Sequence, residues 1–364
     1  MAAHLTRRQF GIAGLGMAGV LTMGAPSCAA IEPQPAGPTP PLARDPLSHV
    51  DPELRAIAAR MLENGPPPSY SAESLKSARN FGAAFAPPRL PDIAVLEEFA
   101  RLPGDAPDVK LFVINAKPGA SRPAILHSHG GGYILGKAEW EVGHLQALAR
   151  DLDCVIVSVE YRLAPETRYQ GSIEDNYAGL LWLYQNAEPL GADPARIALL
   201  GESAGGGHSA LLAITARDRG EVPVAFQTLV YPMLDDRTGS TRMPPPFIGA
   251  FGWDAASNRF GWEAFLGQPP GGSGVPVTGV PARIENLTGL PPAFIGVGGI
   301  DLFVSENIEY GRRLIEAGVP VELVVVPGAF HGFDRIAADT MIAKRFTNAK
   351  VNALRRAFGQ AQEI

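Results

Sequence analysis

Apolar runs of strand length alternate with amphipathic segments of helix length from residue 109 onward. Runs rich in β-branched residues predict strands at residues 109–115, 124–128, 154–159, 197–200, 227–231, 293–297 and 321–326. Helical periodicity predicts helices between them, including residues 173–184, 203–217 and 305–317. Repeated strand-then-helix units indicate an α/β fold, with a mostly parallel sheet covered by helices on both faces. The chemistry of such a sheet lies beyond the carboxyl ends of its strands.

Two other stretches do not show this alternation of strands and helices. Residues 31–50 contain many prolines and no apolar periodicity, so they predict a linker. Residues 235–286 contain many Pro and Gly residues and two Trp residues, and only residues 257–266 show helical periodicity. A long excursion inside a regular sheet is usually functional. We therefore expect one domain at residues 51–364, in which about 51–90 and 235–286 form a cap over the site.

The first 30 residues have the order of an export signal. The pair Arg7-Arg8 precedes a mildly apolar run at residues 11–25, as in a twin-arginine signal peptide. The run is shorter than the roughly 20 residues that a membrane span needs, so we expect no integral span in the mature chain. Residues 1–30 predict a removable signal and a periplasmic or secreted protein. Lipid anchoring at Cys28 is the alternative, although the residues before it form a poor lipobox.

The composition narrows the class of protein. Of the 364 residues, 46% are hydrophobic and 19% are charged, which is typical of a globular protein and not of a disordered chain or a membrane bundle. A net charge of −6 gives no electrostatic reason to expect nucleic acid as a partner. Loss of the signal would leave Cys154 as the only cysteine, so no intramolecular disulfide could form. Cys154 opens an apolar run and is predicted to be a core residue.

A serine lies in a Gly-x-Ser-x-Gly pattern between a predicted strand and a predicted helix. The pattern consists of Gly201, Glu202, Ser203, Ala204 and Gly205. Small residues on both sides of the serine permit the sharp turn that exposes its hydroxyl. The N-terminus of the following helix directs backbone N–H groups at a developing oxyanion. Such a pattern also arises by chance in a glycine-rich chain, but its context predicts Ser203 as a nucleophile.

A glycine-rich loop follows an earlier predicted strand. Its residues are His129, Gly130, Gly131, Gly132 and Tyr133, and the three adjacent glycines leave backbone amides open to close approach. A loop in this place supplies oxyanion donors. The alternatives are a flexible turn and a phosphate-binding loop, but no Gly-Lys-Ser/Thr follows to support the latter. We expect His129 to organise this loop and not to act as the catalytic base.

A serine nucleophile needs a base that is oriented by an acid, and in this architecture the chain order is Ser, acid, His. His208 lies five residues into the predicted elbow helix, so we expect it to point away from Ser203. His331 follows the last predicted strand and is the predicted base. Asp301 follows the strand at 293–297 and is the predicted acid. The competing carboxylates are Asp334, which is too near His331 in sequence, and Glu306, Asp235 and Asp236, which suit turns or helix faces.

From about residue 51 to its end, the chain resembles the bacterial hormone-sensitive-lipase family of α/β-hydrolases. The resemblance rests on five motifs: His129-Gly-Gly-Gly-Tyr133, Tyr161-Arg-Leu-Ala-Pro-Glu166, Gly201-Glu-Ser-Ala-Gly-Gly206, Asp301-Leu-Phe303 and His331-Gly-Phe333. It implies an α/β-hydrolase fold with an eight-stranded sheet and a helical cap. It also implies hydrolysis of short- to medium-chain esters without a cofactor or metal. The oxyanion donors would be the amides of Gly131, Gly132 and Ala204.

Two positions depart from the family pattern. Glu202 stands where many members have Asp, and Leu302-Phe303 follows Asp301 where many have Pro-Leu. Neither departure removes a side chain of the expected triad. The resemblance further implies a small-molecule ester as the partner and is compatible with a homodimer.

Several alternatives use the same fold. An amidase, peptidase or lactonase would keep the triad, as would a true lipase. A non-catalytic receptor is disfavoured because such proteins typically lose the triad histidine, which His331 supplies here. Residues 161–166 are predicted to be structural and not a second acid site. Trp253, Trp262 and Phe265 line an acyl pocket or pack the cap, and the sequence leaves both open.

Overall fold

The computed structural model describes residues 45–63, 65, 69–81, 86–102, 104 and 106–360. These residues build one eight-stranded sheet in the order β1-β2-β4-β3-β5-β6-β7-β8. Its strands are β1 Val95–Ala100, β2 Val109–Ile114, β3 Arg122–Ser128, β4 Val155–Val159, β5 Ala192–Glu202, β6 Phe226–Val230, β7 Ala293–Gly298 and β8 Val321–Val326. Strand β2 pairs antiparallel with β1 and β4, and every other neighbouring pair is parallel. The predicted mostly parallel sheet is therefore confirmed.

Strand β1 is the one strand for which the apolar pattern gave no signal. It lies at the edge of the sheet and pairs only with β2. Leu96 and Phe99 are about half exposed, and two glutamates lie between them. An edge strand that is not buried on both faces lacks the continuous apolar run by which the parallel strands were recognised.

Ten helices are described, and the longer ones cover both faces of the sheet. They are α1 Arg55–Glu63, α2 Leu75–Phe81, α3 Ala138–Asp151, α4 Tyr169–Gln185, α5 Ala187–Leu190, α6 Ala204–Arg219, α7 Ala255–Leu266, α8 Val304–Glu316, α9 Phe333–Ile336 and α10 Met341–Ala357. Helices α3 and α10 share a hydrophobic cluster with one face of the sheet, and α4, α6 and α8 share another with the opposite face. Burial of both faces is typical of parallel sheets.

The described chain begins with a segment that the sequence assigned to the linker. Residues 45–50 instead belong to the folded unit: Pro46–His49 form a short 3-10 helix, and Val50 packs in the α3/α10 cluster. The His49 ring stacks on Phe247 at 4.0 Å. The sequence did not indicate that Val50 is a core residue, because the segment is rich in proline and its apolar residues have neither helical nor strand periodicity. The predicted signal at 1–30, Cys28 and the linker up to residue 44 lie outside the described residues.

The first of the two stretches predicted to form a cap is divided between two layers, and only its second part packs with the other stretch. Ala58 of α1 packs in the α3/α10 cluster under the sheet, whereas Leu75 of α2 packs with α7 in a third cluster. Hydrogen bonds join the segment before α2 to the start of α7, from the Tyr70 amide to Ser257 Oγ and from Ser69 Oγ to Asp254 Oδ1. The segment containing α2 and the helix α7 thus form one layer.

Cys154 is buried and unpaired, in the core position that the sequence predicted. Burial raises the pKa of its thiol far above the ordinary range, so the thiol stays protonated and unreactive. Among the described residues, no helix combines the length and hydropathy needed to cross a membrane.

Candidate active site

Four parallel strands bring the candidate residues to one edge of the sheet. Strand β3 ends at the glycine-rich loop, and its neighbour β5 ends directly before Ser203, with Ser128 and Gly201 in register. Strands β7 and β8 are also neighbours, and Asp301 and His331 lie in the loops that follow them. All these loops leave carboxyl ends of strands, which is where α/β sheets bind ligands. Residues far apart in the sequence therefore converge.

Ser203 occupies a sharp turn between β5 and α6. Its backbone has φ 57° and ψ −121°, a conformation that non-glycine residues rarely adopt and that tight packing must enforce. The Ser203 amide donates to the Val230 carbonyl at 2.9 Å, and its carbonyl accepts from the Met233 amide at 2.9 Å. A Cβ at Gly201 would lie 2.1 Å from the Gly205 carbonyl oxygen. Glycine is thus required in this turn because any side chain would overlap neighbouring backbone atoms.

Replacing Gly205 with alanine is expected to lower the free energy of unfolding by about 3 kcal/mol or more. Its Cβ would lie 1.9 Å from the Ser128 carbonyl oxygen, and backbone atoms of a central strand cannot move aside cheaply. Chemical denaturation measures the change. Gly272→Ala is the matched control, because no atom lies within 4 Å of a Cβ at Gly272, and its stability should stay within about 0.5 kcal/mol. Equal stability of the two variants would contradict this account of the turn.

The side chains of Ser203, His331 and Asp301 form a continuous line of hydrogen bonds. His331 Nε2 lies 3.0 Å from Ser203 Oγ, and His331 Nδ1 lies 2.8 Å from Asp301 Oδ2. Because a carboxylate only accepts, the proton of the ring resides on Nδ1, which leaves Nε2 to accept the serine proton. Asp301 is fully buried, and its second oxygen accepts from the Phe303 amide at 2.8 Å. The acid is therefore fixed from both sides.

Aromatic rings hold His331 in place. The rings of Tyr231 and Phe303 meet the imidazole edge to face, with centroids 4.7 and 5.2 Å away. The Tyr231 hydroxyl donates to Asp334 Oδ1 at 2.9 Å. Tyr231 was missed as a candidate, although it directly follows β6 at the same edge of the sheet. Its position past a strand end was the available signal.

The carboxylates that competed for the role of the acid are all engaged elsewhere. Asp334 accepts from Tyr231, and Glu306 accepts from the Leu234 amide. The other two pair with guanidinium groups, Asp235 with Arg237 and Asp236 with Arg283. None of the four makes a hydrogen bond to His331 among the described residues.

The glycine-rich loop lies against the serine. A Cβ at Gly130 would lie 3.5 Å from Ser203 Cβ, and Gly131 and Gly132 adopt positive φ angles of 124° and 59°. Within the described residues, no backbone or side-chain acceptor takes the amide N–H of Gly131, Gly132 or Ala204. Ala204 is the first residue of α6, where the N–H groups have no intrahelical acceptor. These three amides are free to bind a negatively charged oxygen.

Buried aromatic groups support this loop from below. His129 Nδ1 donates to the Gly130 carbonyl at 2.8 Å, and the His129 ring stacks on Tyr161 at 4.1 Å. The Tyr161 hydroxyl donates back to the His129 carbonyl at 2.7 Å. The two charged residues of the 161–166 motif form ion pairs, Arg162 with Asp175 and Glu166 with Arg79. The motif thus has the structural role expected for it.

His208 points into this aromatic layer, and neither of its ring nitrogens has a hydrogen-bond partner in the described structure. It is buried between Tyr133, Tyr161 and Phe265. Burial lowers the pKa of His208 to about 3 and that of His129 to about 4, so both rings are neutral in the folded protein. Neither histidine can serve as the base for Ser203.

The buried imidazole of His208 makes the protein sensitive to acid. Its pKa is depressed in the folded state, so stability is complete above pH 6.5 and is lost as the pH falls towards 3. Between pH 7 and pH 5, this histidine should lower the free energy of unfolding by about 2 kcal/mol. His208→Phe keeps an aromatic ring but cannot be protonated. We therefore expect the free energy of unfolding of this variant to fall by about 2 kcal/mol less than that of wild type between pH 7 and pH 5. Identical pH dependence of wild type and variant in denaturant titrations would contradict this assignment.

Glu202, next to the serine in sequence, belongs to a buried charge network that the sequence did not reveal. Its oxygens lie 3.0 Å from His127 Nε2 and 3.2 Å from an Arg335 nitrogen, and Arg335 also pairs with Glu141. The other ring nitrogen of His127 lies 2.9 Å from Ser158 Oγ. Burial alone would raise the pKa of Glu202, but His127 and Arg335 outweigh it and hold the pKa well below its usual range. The carboxylate is therefore ionised and anchors the turn.

The sequence did not decide whether Trp253, Trp262 and Phe265 line an acyl pocket or pack the cap. In the structure, two of them pack in the aromatic layer around Tyr133, and one lies against the glycines of the loop after β3. Trp262 and Phe265 are fully buried around Tyr133. The Trp253 ring instead covers Gly132, where a Cβ would lie 2.3 Å from the ring. The Trp253 indole N–H donates to Asn258 Oδ1 at 3.2 Å. Of these three residues, Trp253 is the one whose ring lies directly against Gly132.

The chain belongs to the α/β-hydrolases, in the branch that resembles hormone-sensitive lipase. The sequence profile described as alpha/beta hydrolase fold matches residues 125–335, more than half of the chain. The described residues contain no group of three His, Cys, Asp or Glu side chains suited to a metal ion.

Among curated proteins, the chain is similar to Esterase LipI and Carboxylesterase NlhH of Mycobacterium tuberculosis. Identity to LipI is 38% over 240 residues, which is 65% of this chain and 73% of that protein. Identity to NlhH is 37% over 244 residues, covering 65% and 74%. Of the solved structures, Bacterial Heroin Esterase has a TM-score of 0.77 at 36% identity, covering 86% of this chain and 99% of that one. Esterase LipW from Mycobacterium marinum has a TM-score of 0.72 at 32% identity, covering 86% and 97%.

Proposed function

We propose that the protein is a serine carboxylesterase that hydrolyses short- to medium-chain acyl esters. The observation that carries this proposal is the hydrogen-bonded line from Asp301 through His331 to Ser203, which ends beside the three free amides. A base on the nucleophile and unoccupied donors for an oxyanion are the two requirements of acyl transfer. The relatives named as esterases and carboxylesterases support the same reaction class.

In this proposal the reaction proceeds through an acyl-enzyme. His331 Nε2 takes the Ser203 proton while Oγ attacks the ester carbonyl carbon, and the carbonyl oxygen becomes an oxyanion. The amides of Gly131, Gly132 and Ala204 stabilise that oxyanion, each by about 3 kcal/mol. The protonated His331 then returns its proton to the leaving alkoxide, which departs as alcohol. Water, activated by the same nitrogen, cleaves the acyl-enzyme to the acid and restores the serine.

We further assign Trp253 to the wall of the acyl cleft, where its ring over Gly132 limits chain length. Each buried methylene of a longer acyl chain is worth about 0.8 kcal/mol when space is available. Trp253→Ala is therefore expected to raise the kcat/KM ratio of p-nitrophenyl decanoate to butyrate about tenfold. Trp182→Ala is the control, because Trp182 packs on the α4 face of the sheet. If the ratio is unchanged in Trp253→Ala, or changes equally in both, the assignment is wrong.

The acyl-length profile of the purified protein on p-nitrophenyl esters tests the proposed substrate class. Turnover should be greatest for short and medium chains and should fall for long ones. A matched butyryl ester and butyryl anilide separate an esterase from an amidase or peptidase, and the ester should be hydrolysed far faster. Turnover confined to the anilide would overturn the proposal. Export by residues 1–30 and a homodimer remain predictions from the sequence alone.

A further inference from the structure

A cavity of about 750 Å³ lies between α3, α9 and α10. Glu202 lines it, together with Arg335 of α9 and Lys350 of α10. Its volume is within the range of pockets that bind small organic molecules. The triad side chains Ser203, Asp301 and His331 are not among its lining residues. The cavity is therefore separate from the proposed catalytic site.

Lys350 is the unusual member of this cavity. Only 7% of the residue is exposed, yet its ammonium has no ion pair or hydrogen bond among the described residues. The nearby carboxylates have other partners: Glu202 binds His127 and Arg335, and Asp334 accepts from a tyrosine. The charge of Lys350 acts on Glu202 and helps to lower the pKa of that carboxyl, but no acceptor among the described residues forms a hydrogen bond with the ammonium. The ammonium therefore remains available to an anion in the cavity.

The rest of the lining suits an anion that carries an apolar body. Lys344 and Arg150 line the cavity and have no carboxylate partner among the described residues, so they add positive charge at its edge. Leu145, Leu148 and Val351 supply apolar surface beside Lys350. An inorganic anion would leave this apolar surface uncovered, whereas a carboxylate on a short hydrocarbon chain would use both parts.

We propose that this cavity is a binding site for a small organic carboxylate, whose charged group pairs with Lys350 Nζ and whose chain lies against Leu145, Leu148 and Val351. The site is distinct from the cleft at Ser203, and the inference does not depend on the reaction proposed there. Binding joins the carboxylate to the ammonium by a charge-assisted hydrogen bond, the stronger class of such bonds.

Isothermal titration of the full chain with hexanoate tests the proposal. We expect saturable binding to wild type, at least about tenfold weaker binding to Lys350→Met, and retained binding to Lys350→Arg, which keeps the charge. Ala147→Trp fills the lining at an exposed helix position and leaves Lys350 in place, so it should also weaken binding. Neutral hexanamide should show no component that depends on Lys350.

Two results would overturn the proposal. The first is the absence of saturable hexanoate binding to wild type, and the second is equal binding to wild type and Lys350→Met, which would place the acid in the catalytic cleft. The melting temperature gives a readout that is independent of binding. Lys350→Met and Lys350→Arg should each unfold in one cooperative transition above the temperature of the titration, which establishes that the compared variants are folded.

Discussion

Ser203→Ala should abolish ester turnover, with a fall in kcat of about a million-fold on p-nitrophenyl butyrate. The reason is that the alanine lacks the oxygen that must form the covalent bond, while His331 and the free amides remain in place. KM should change little, because the variant keeps the groups that bind the ester. Steady-state and single-turnover kinetics measure both constants.

Ser209→Ala is the matched control for that loss. Ser209 is a buried serine on α6, the helix that begins directly after Ser203, and its hydroxyl has no hydrogen-bond partner in the described structure. Its removal should leave kcat within a factor of about two. Turnover by Ser203→Ala within tenfold of wild type would exclude Ser203 as the nucleophile, whatever the control shows.

Asp301→Asn is expected to lower kcat by about ten-thousand-fold. An asparagine amide can donate to His331 Nδ1, which would place the ring proton on Nε2 and remove the acceptor for the serine proton. The 2.8 Å contact between the histidine and the acid makes this exchange of tautomers direct. The protein should remain folded, because the substitution preserves shape.

Asp334→Asn is the control for the assignment of the acid. Asp334 lies three residues after His331 but accepts from the Tyr231 hydroxyl. Its conversion to asparagine should lower kcat by less than about tenfold, since an amide oxygen also accepts. If Asp334→Asn loses as much activity as Asp301→Asn, the acid has been assigned to the wrong residue.

The central features of the site could be predicted because they follow strands that are buried on both faces. Such strands have uninterrupted apolar sequences. The glycines around Ser203 and in the loop after β3 indicate turns where one backbone segment lies too close to another for a side chain to fit. The place of His208 inside the predicted elbow helix, and of His331 in a loop after a strand, then separated the two histidines. The local sequence therefore contained enough information to find a site that is assembled from four strands.

Other features depend on contacts between distant elements, and no local pattern reveals these. Glu202 looked like a variant motif residue, but its partners His127 and Arg335 lie 75 and 133 residues away. The edge strand β1 has no apolar period, and Val50 is a core residue inside a proline-rich segment. Lys350 lies on an amphipathic helix, where the sequence alone would place it in solvent. Its burial follows only from how α10 packs.

Covalent labelling by a p-nitrophenyl alkylphosphonate, followed by intact and peptide mass spectrometry, tests the central claim most directly. The reagent mimics the ester and traps an activated serine. We expect loss of turnover in step with one adduct per chain, located on Ser203, and no adduct on Ser203→Ala or on the unfolded protein. An active enzyme that is inactivated with its adduct on another residue, or that stays active with Ser203 fully labelled, would contradict it.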